Sequence, residues 1–181
     1  CVGAAGALDD RLQMGDIVIA EWVVSADDPA SRKSCDPGMA ERAKRLAAER
    51  GFGTFAGGLV SAAKPAKTPG EKARLRAATG ALAVDLESAA AAEAAGSVPF
   101  LAVRVITDDS RTALPDFRSV WKKPIRLLKD GAGFVGRSPA MRRALRTHQE
   151  FLRLFLGCFP SPSDDPPHVG RSPGGQADGR S

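Results

Sequence analysis

The feature that most constrains this chain is an alternation of short apolar, β-branched segments with helical ones through its first 107 residues. The run from Asp16 to Ser25 follows the turn signal of Gly15 and is rich in Val and Ile, which predicts a strand. Residues 39–50, MAERAKRLAAER, follow Pro37 and stop before Gly51, as a helix does. Thr54–Ala62 reads as a second strand. Thr68-Pro69-Gly70-Glu71 has capping-box spacing with proline at the first helical position, so a helix is expected from there to Gly80. Ala81–Asp85 reads as a short strand, Leu86–Ala95 as an alanine-rich helix closed by Gly96, and Pro99–Thr107 as a strongly apolar strand. Ahead of all these, Val2-Gly3-Ala4-Ala5-Gly6 reads as the end of a strand running into a glycine turn.

Strands alternating with helices predict an α/β domain, a three-layer αβα arrangement around a mostly parallel sheet. Ligands of such sheets gather at the carboxyl ends of the strands. Two carboxylate clusters fall there, Asp85 with Glu87 and Asp108 with Asp109. Singly, each has an ordinary explanation: Asp85 and Glu87 suit the positive end of a helix dipole, and Asp108 and Asp109 suit a turn. Together, and with Arg104 inside an otherwise apolar strand, they point to a site, because an unpaired buried charge is costly.

Beyond Ser110 the pattern weakens. A helix is expected over about Phe117–Lys129, and a clearer one from Ser138-Pro139 to about Leu156, with Met141, Leu145, Leu152 and Phe155 on one stripe. Residues 157–181 hold five prolines and five glycines and read as a disordered tail. Gly131-Ala-Gly-Phe-Val-Gly136 matches GxGxxG with Glu150 downstream, but residues 122–130 do not read as the buried strand that dinucleotide binding requires.

Several function classes are set aside by charge and composition. The net charge of +5 divides into −2 over residues 1–110 and +7 over the remainder. The basic third, with Arg142, Arg143, Arg146 and Arg153, lacks the interleaved aromatics of a base-stacking surface, so nucleic acid is not an expected partner. No run of about 18 apolar residues suggests a membrane span. Cys1, Cys35 and Cys158 are odd in number and lack CxxC spacing, which argues against a disulfide framework or structural zinc and for a reducing compartment, the cytoplasm. His148 and His168 are the only histidines, with no constellation around either, so no metal is expected. The chain opens on cysteine and reads as starting inside a domain. A mature lipoprotein also begins with cysteine, but usually continues into a polar tether rather than a patterned globular stretch.

Four segments together carry a resemblance. Gly3-Ala-Ala-Gly-Ala-Leu8, Gly15-Asp-Ile-Val-Ile19, Val84-Asp-Leu-Glu-Ser-Ala-Ala90 and Val98-Pro-Phe-Leu-Ala-Val-Arg-Val-Ile-Thr-Asp108 occur in the order and spacing of the purine nucleoside phosphorylase and nucleosidase superfamily. Asp108-Asp-Ser-Arg-Thr-Ala-Leu-Pro115 resembles most the hopanoid-associated phosphorylase branch. The resemblance implies a nucleoside phosphorylase core over residues 1–115, a C-terminal helical part over 116–156 and the tail over 157–181. It also implies that the family's amino-terminal third, with its first strands, does not precede Cys1, so that the Ile17–Val24 strand is short of apolar cover.

By the same resemblance, Asp108 matches the acid that assists protonation of the purine, and Glu87 the carboxylate that binds ribose hydroxyls. Leu86 stands where relatives often carry methionine against sugar and base. Gly3, Ala4, Ala5 and Gly6 match the loop beside the nucleoside and the attacking phosphate or water, while Arg104, with Asp85, supports the carboxylates. Ala4 and Thr107 stand where many relatives have serine. The implied activity is phosphorolysis of a purine nucleoside, of the adenosylhopane kind with release of adenine, with phosphate as co-substrate and no other cofactor. A homo-oligomer is implied for the full-length protein. Hydrolysis by the same fold, or a non-catalytic remnant, are the alternatives.

Overall fold

The computed structural model describes residues 1–113, together with Pro139, Arg142, Arg146, Thr147, residues 149–151 and Arg153, all eight of which are helical. The expected helix over 117–129, the GxGxxG segment, the stripe of Met141, Leu145, Leu152 and Phe155, Cys158, both histidines and the tail lie outside the described residues. Within that C-terminal part it is Phe151 that is fully buried, its ring edge-on to Phe52 with 6.4 Å between centroids.

The elements in chain order are β1 (Val2–Ala7), β2 (Ile17–Ser25), β3 (Asp28–Ser34), α1 (Pro37–Glu49), β4 (Thr54–Ser61), α2 (Pro69–Thr79), β5 (Ala83–Asp85), α3 (Ser88–Ala95) and β6 (Val103–Asp108). Side-chain caps set the starts of α1 and α2, and of the two only the Thr68–Glu71 box is expected from the sequence. The Asp36 carboxylate accepts from the Met39 amide at 2.7 Å, and Thr68 and Glu71 close a reciprocal capping box at the start of α2. Gly80 ends α2 in the left-handed region, at φ 72°, where glycine carries no Cβ penalty.

The α/β architecture is as expected, with α1 and α3 packed against β2 and β4. The sheet, however, is mixed. Its order is β3-β2-β4-β5-β1-β6, and β2 also pairs with β6, so five of the strands close into a barrel-like ring with β3 outside it. The β2–β4, β4–β5 and β1–β6 pairs are parallel. The β1–β5, β2–β3 and β2–β6 pairs are antiparallel. Helical crossovers α1 and α2 produce the first two parallel pairs, because only a long connection returns a strand in the same direction.

Closure of the ring corrects one expectation. β2 is flanked by β3, β4 and β6, and Ile17, Val18, Ile19, Ala20, Val23 and Val24 are all at most 1% exposed, so this strand does not lack cover. β3 has no counterpart among the sequence expectations, because its residues DPASRKS carry no apolar alternation and are all exposed. Pairing with β2 and a 4.0 Å contact of the Arg32 guanidinium over the Trp22 ring hold it in place.

β4 contains two adjacent glycines because its neighbours fill the space that side chains would take. A Cβ on Gly58 would lie 2.1 Å from the Trp22 ring, and one on Gly57 would lie 2.6 Å from Leu82. Neither position has open space, and overpacking of a core costs about 1–3 kcal/mol. Gly58→Ala is therefore expected to lower the unfolding free energy in urea by about that amount, whereas an unchanged midpoint would show that Trp22 does not rest on the β4 backbone.

Candidate active site

One cavity of about 340 Å³ opens where β1, β5 and β6 meet, and every sequence-predicted site residue lines it: Gly3, Ala4, Ala5, Gly6, Asp85, Leu86, Glu87, Arg104 and Asp108. Pro65 and Ala66, from the segment before α2, complete one wall with Val84 and Thr107.

The glycines of β1 differ from their expected use. Neither Gly3 nor Gly6 has positive φ, and the strand runs through both to Ala7. Their role is clearance. Gly3 pairs with Arg104, and a Cβ there would stand 3.1 Å from the guanidinium. Gly6 pairs with Asp108, and its Cβ would stand 2.8 Å from the carboxylate. Bare backbone at these two positions lets two charged side chains of β6 lie against β1.

The register slips by one residue between Ala5 and Gly6, so that Thr107 is extra on β6. Successive strand residues ordinarily point to opposite faces, and a bulge re-aims them. Here Thr107 and Asp108 both face the cavity.

Arg104 is 1% exposed. Its Nε donates to Asp85 Oδ2 at 2.6 Å and its Nη2 to the Cys1 sulfur at 3.1 Å. Asp85 also accepts from the Ser61 hydroxyl at 2.5 Å, from the Ser88 hydroxyl, and from the Ser88 and Glu87 amides at 3.2 and 3.3 Å. Burial alone pushes the Asp85 carboxyl up, but the Ser61 and Ser88 hydroxyls and the Arg104 guanidinium outweigh it and hold it below the usual aspartate range. Asp85 thus organises the start of α3 and receives Arg104.

Glu87 behaves differently. It is the N-cap residue of α3 by position, yet its side chain makes no capping bond and is exposed at the cavity. Leu86 beside it is 51% exposed, a large apolar surface at the cavity mouth.

The second carboxylate pair divides the same way. Asp109 binds its own turn, accepting from the Arg111 and Thr112 amides at 2.9 and 2.6 Å and from the Thr112 hydroxyl at 3.0 Å. Burial raises the Asp109 carboxyl, and those Thr112 and Arg111 bonds with the nearby Lys72 charge bring it below the usual range. Asp108 takes no part in that turn and faces the cavity.

One site-side residue has no counterpart in the sequence expectations. Lys72, on α2, is 1% exposed, and its Nζ donates to Asp108 Oδ2 at 2.5 Å and to the Asp109 carbonyl. The only sequence signal was a lysine one turn into a capped helix, a position where lysines usually face solvent. Among the described residues no group of three or more His, Cys, Asp or Glu side chains is placed to hold a metal. Nor is any helix there long and apolar enough to cross a membrane.

Solved structures of other proteins share this fold. The chain superposes on a 5'-methylthioadenosine/S-adenosylhomocysteine nucleosidase from Helicobacter pylori with a TM-score of 0.64 and 22% identity, covering 86% of this chain and 66% of that one. For an S-adenosylhomocysteine nucleosidase from Streptococcus pyogenes the values are 0.65, 21%, 88% and 67%. For the futalosine hydrolase of Helicobacter pylori they are 0.64, 20%, 86% and 65%. The chain therefore spans about two thirds of these relatives' length, and at such identities the likeness is one of fold. No curated protein sequence matches it. The model of the phosphorylase superfamily matches residues 1–123, well over half of the sequence, and the chain belongs to that superfamily.

Proposed function

We propose that the protein cleaves the N-glycosidic bond of a purine nucleoside in the cavity between β1, β5 and β6. The observation that carries this reading is the pairing of two differently supported carboxylates in one cavity, buried Asp108 and exposed Glu87. Cleavage leaves positive charge on the sugar and negative charge on the base, so it needs a proton at the base and an anchor on the ribose. Asp108 assists protonation of the departing purine. Glu87, free of capping duty, binds ribose hydroxyls and its charge suits a cationic sugar. Leu86 packs against the nucleoside, and the backbone of Gly3–Gly6 passes beside it without side chains to obstruct it. Arg104 and Asp85 hold the surrounding strands in register.

The nucleophile separates two readings. Among the described residues the cavity lining holds three carboxylates, Asp85, Glu87 and Asp108, and one cation, Arg104, whose Nε is already bound to Asp85, while the Lys72 ammonium behind the lining is already bound to Asp108. That balance suits water better than a phosphate dianion, and the similar solved structures are named as nucleosidases and a hydrolase. Phosphorolysis is the second reading, supported by the resemblance of residues 108–115 to the hopanoid-associated branch, whose substrate is of the adenosylhopane kind. Incubation with adenosine-type nucleosides with and without phosphate distinguishes them: free sugar in both conditions supports hydrolysis, and a sugar 1-phosphate formed only with phosphate supports phosphorolysis.

Asp108→Asn is expected to lower kcat by about a hundredfold, the usual contribution of a positioned acid. Near-normal turnover would remove Asp108 from that role. Loss of a charge-assisted bond costs about 1.5–3 kcal/mol, so Glu87→Gln should weaken kcat/KM for ribosides by about ten- to a hundredfold while the unfolding midpoint stays put. Equal activity of the parent protein on ribosides and on 2'- and 3'-deoxyribosides would argue against this anchor.

A further inference from the structure

We infer that Lys72 is a positioning residue for Asp108, selecting which carboxylate oxygen meets the purine. The inference rests on the reading of Asp108 above. Lys72 reaches the site from α2, outside the three strands that carry the other groups, and its side chain is enclosed along its whole length, with 1% exposure. Lysines are almost never fully buried unless paired, and burying an ammonium is costly unless its protons find acceptors. Two acceptors meet it at one place: Asp108 Oδ2 at 2.5 Å and the Asp109 carbonyl.

These contacts fix the end of β6. Oδ2 is occupied by the ammonium and lies against the bare backbone of Gly6, where no side chain fits. Among the described residues Oδ1 has only a weak partner, the Thr107 hydroxyl at 3.3 Å, which is equally far from the Ala5 carbonyl. Oδ1 is therefore the oxygen available to a base in the cavity. The tie to the Asp109 carbonyl holds the peptide that follows, so the carboxylate cannot swing with its backbone. α2 also begins just after Pro65 and Ala66, which wall the same cavity, so one helix supports both the wall and the clamp. A surface ion pair would not fix an oxygen in this way, because water competes for both partners.

The test is a double-mutant cycle on kcat and KM with an adenosine-type nucleoside, using Lys72→Met, Asp108→Asn and the double variant. Lys72→Met should lower kcat at least tenfold with KM within about threefold, because an oxygen misplaced by about an ångström loses rate rather than binding. In the Asp108→Asn background the same substitution should change kcat by less than about twofold, since the group it positions is gone. If Lys72→Met alone fails to fold because it leaves a buried carboxylate unpaired, the double variant, which removes both charges, still folds and Lys72→Arg replaces Lys72→Met. Lys72→Arg keeps a donor at a displaced position and should lose kcat in the wild-type background only. Full kcat in a folded Lys72 variant, or an equal loss in both backgrounds, overturns the inference. Full kcat in Asp108→Asn itself would instead overturn the reading of Asp108, so the two failures are distinguishable.

Discussion

Arg104 sets the condition that the rest of this structure meets. A guanidinium 1% exposed inside a strand must find acceptors in the interior, since a buried charge without partners costs several kcal/mol. The nearest carboxylate belongs to Asp85, on β5, with β1 lying between the two strands. The side chain can cross only because Gly3 pairs with Arg104 and offers no Cβ. Ser61 from β4 and Ser88 from α3 then saturate Asp85, so a single ion pair ties together β6, β5, β4 and the start of α3. Among the described residues no buried side-chain nitrogen or oxygen is left without a partner.

The same economy explains the division of labour among the acidic residues. Of each pair the sequence places at a strand end, one member serves the chain and one faces the cavity. Asp85 binds the start of α3 while the Glu87 side chain makes no capping bond, and Asp109 closes its turn while Asp108, held by Lys72, faces the cavity. A structural explanation therefore covers Asp85 and Asp109, and leaves Glu87 and Asp108 facing the cavity. A one-residue bulge at Thr107 then turns Asp108 toward the cavity and away from its own turn.

Much of this was readable from the chain. β-branched runs, a capping box and glycine stops marked out α1, β4, α2 and α3, and the positions matching the superfamily's motifs converge on one cavity. What escaped reading has physical causes. β3 is stabilised by pairing and by Arg32 over Trp22, neither of which leaves an apolar alternation. Glycines at 3 and 6 looked like turn formers because one sequence does not distinguish conformational need from close approach. Ring closure through β2 and β6 depends on residues far apart in the chain, as does the burial of Lys72 against Asp108. Nothing local distinguishes Lys72 from the exposed Arg74 and the half-buried Arg76 of its own helix.

The central claim is that the cavity lined by Gly3–Gly6, Leu86, Glu87 and Asp108 receives a purine nucleoside, base toward Asp108 and ribose toward Glu87. A crystal structure of the protein with adenosine tests it most directly. The account predicts a ring nitrogen within about 2.6–3.2 Å of an Asp108 carboxylate oxygen and the ribose hydroxyls on Glu87. Adenosine seated instead in the neighbouring cavity of Asp10, Gln13 and Arg111, or with its base turned away from Asp108, would contradict it.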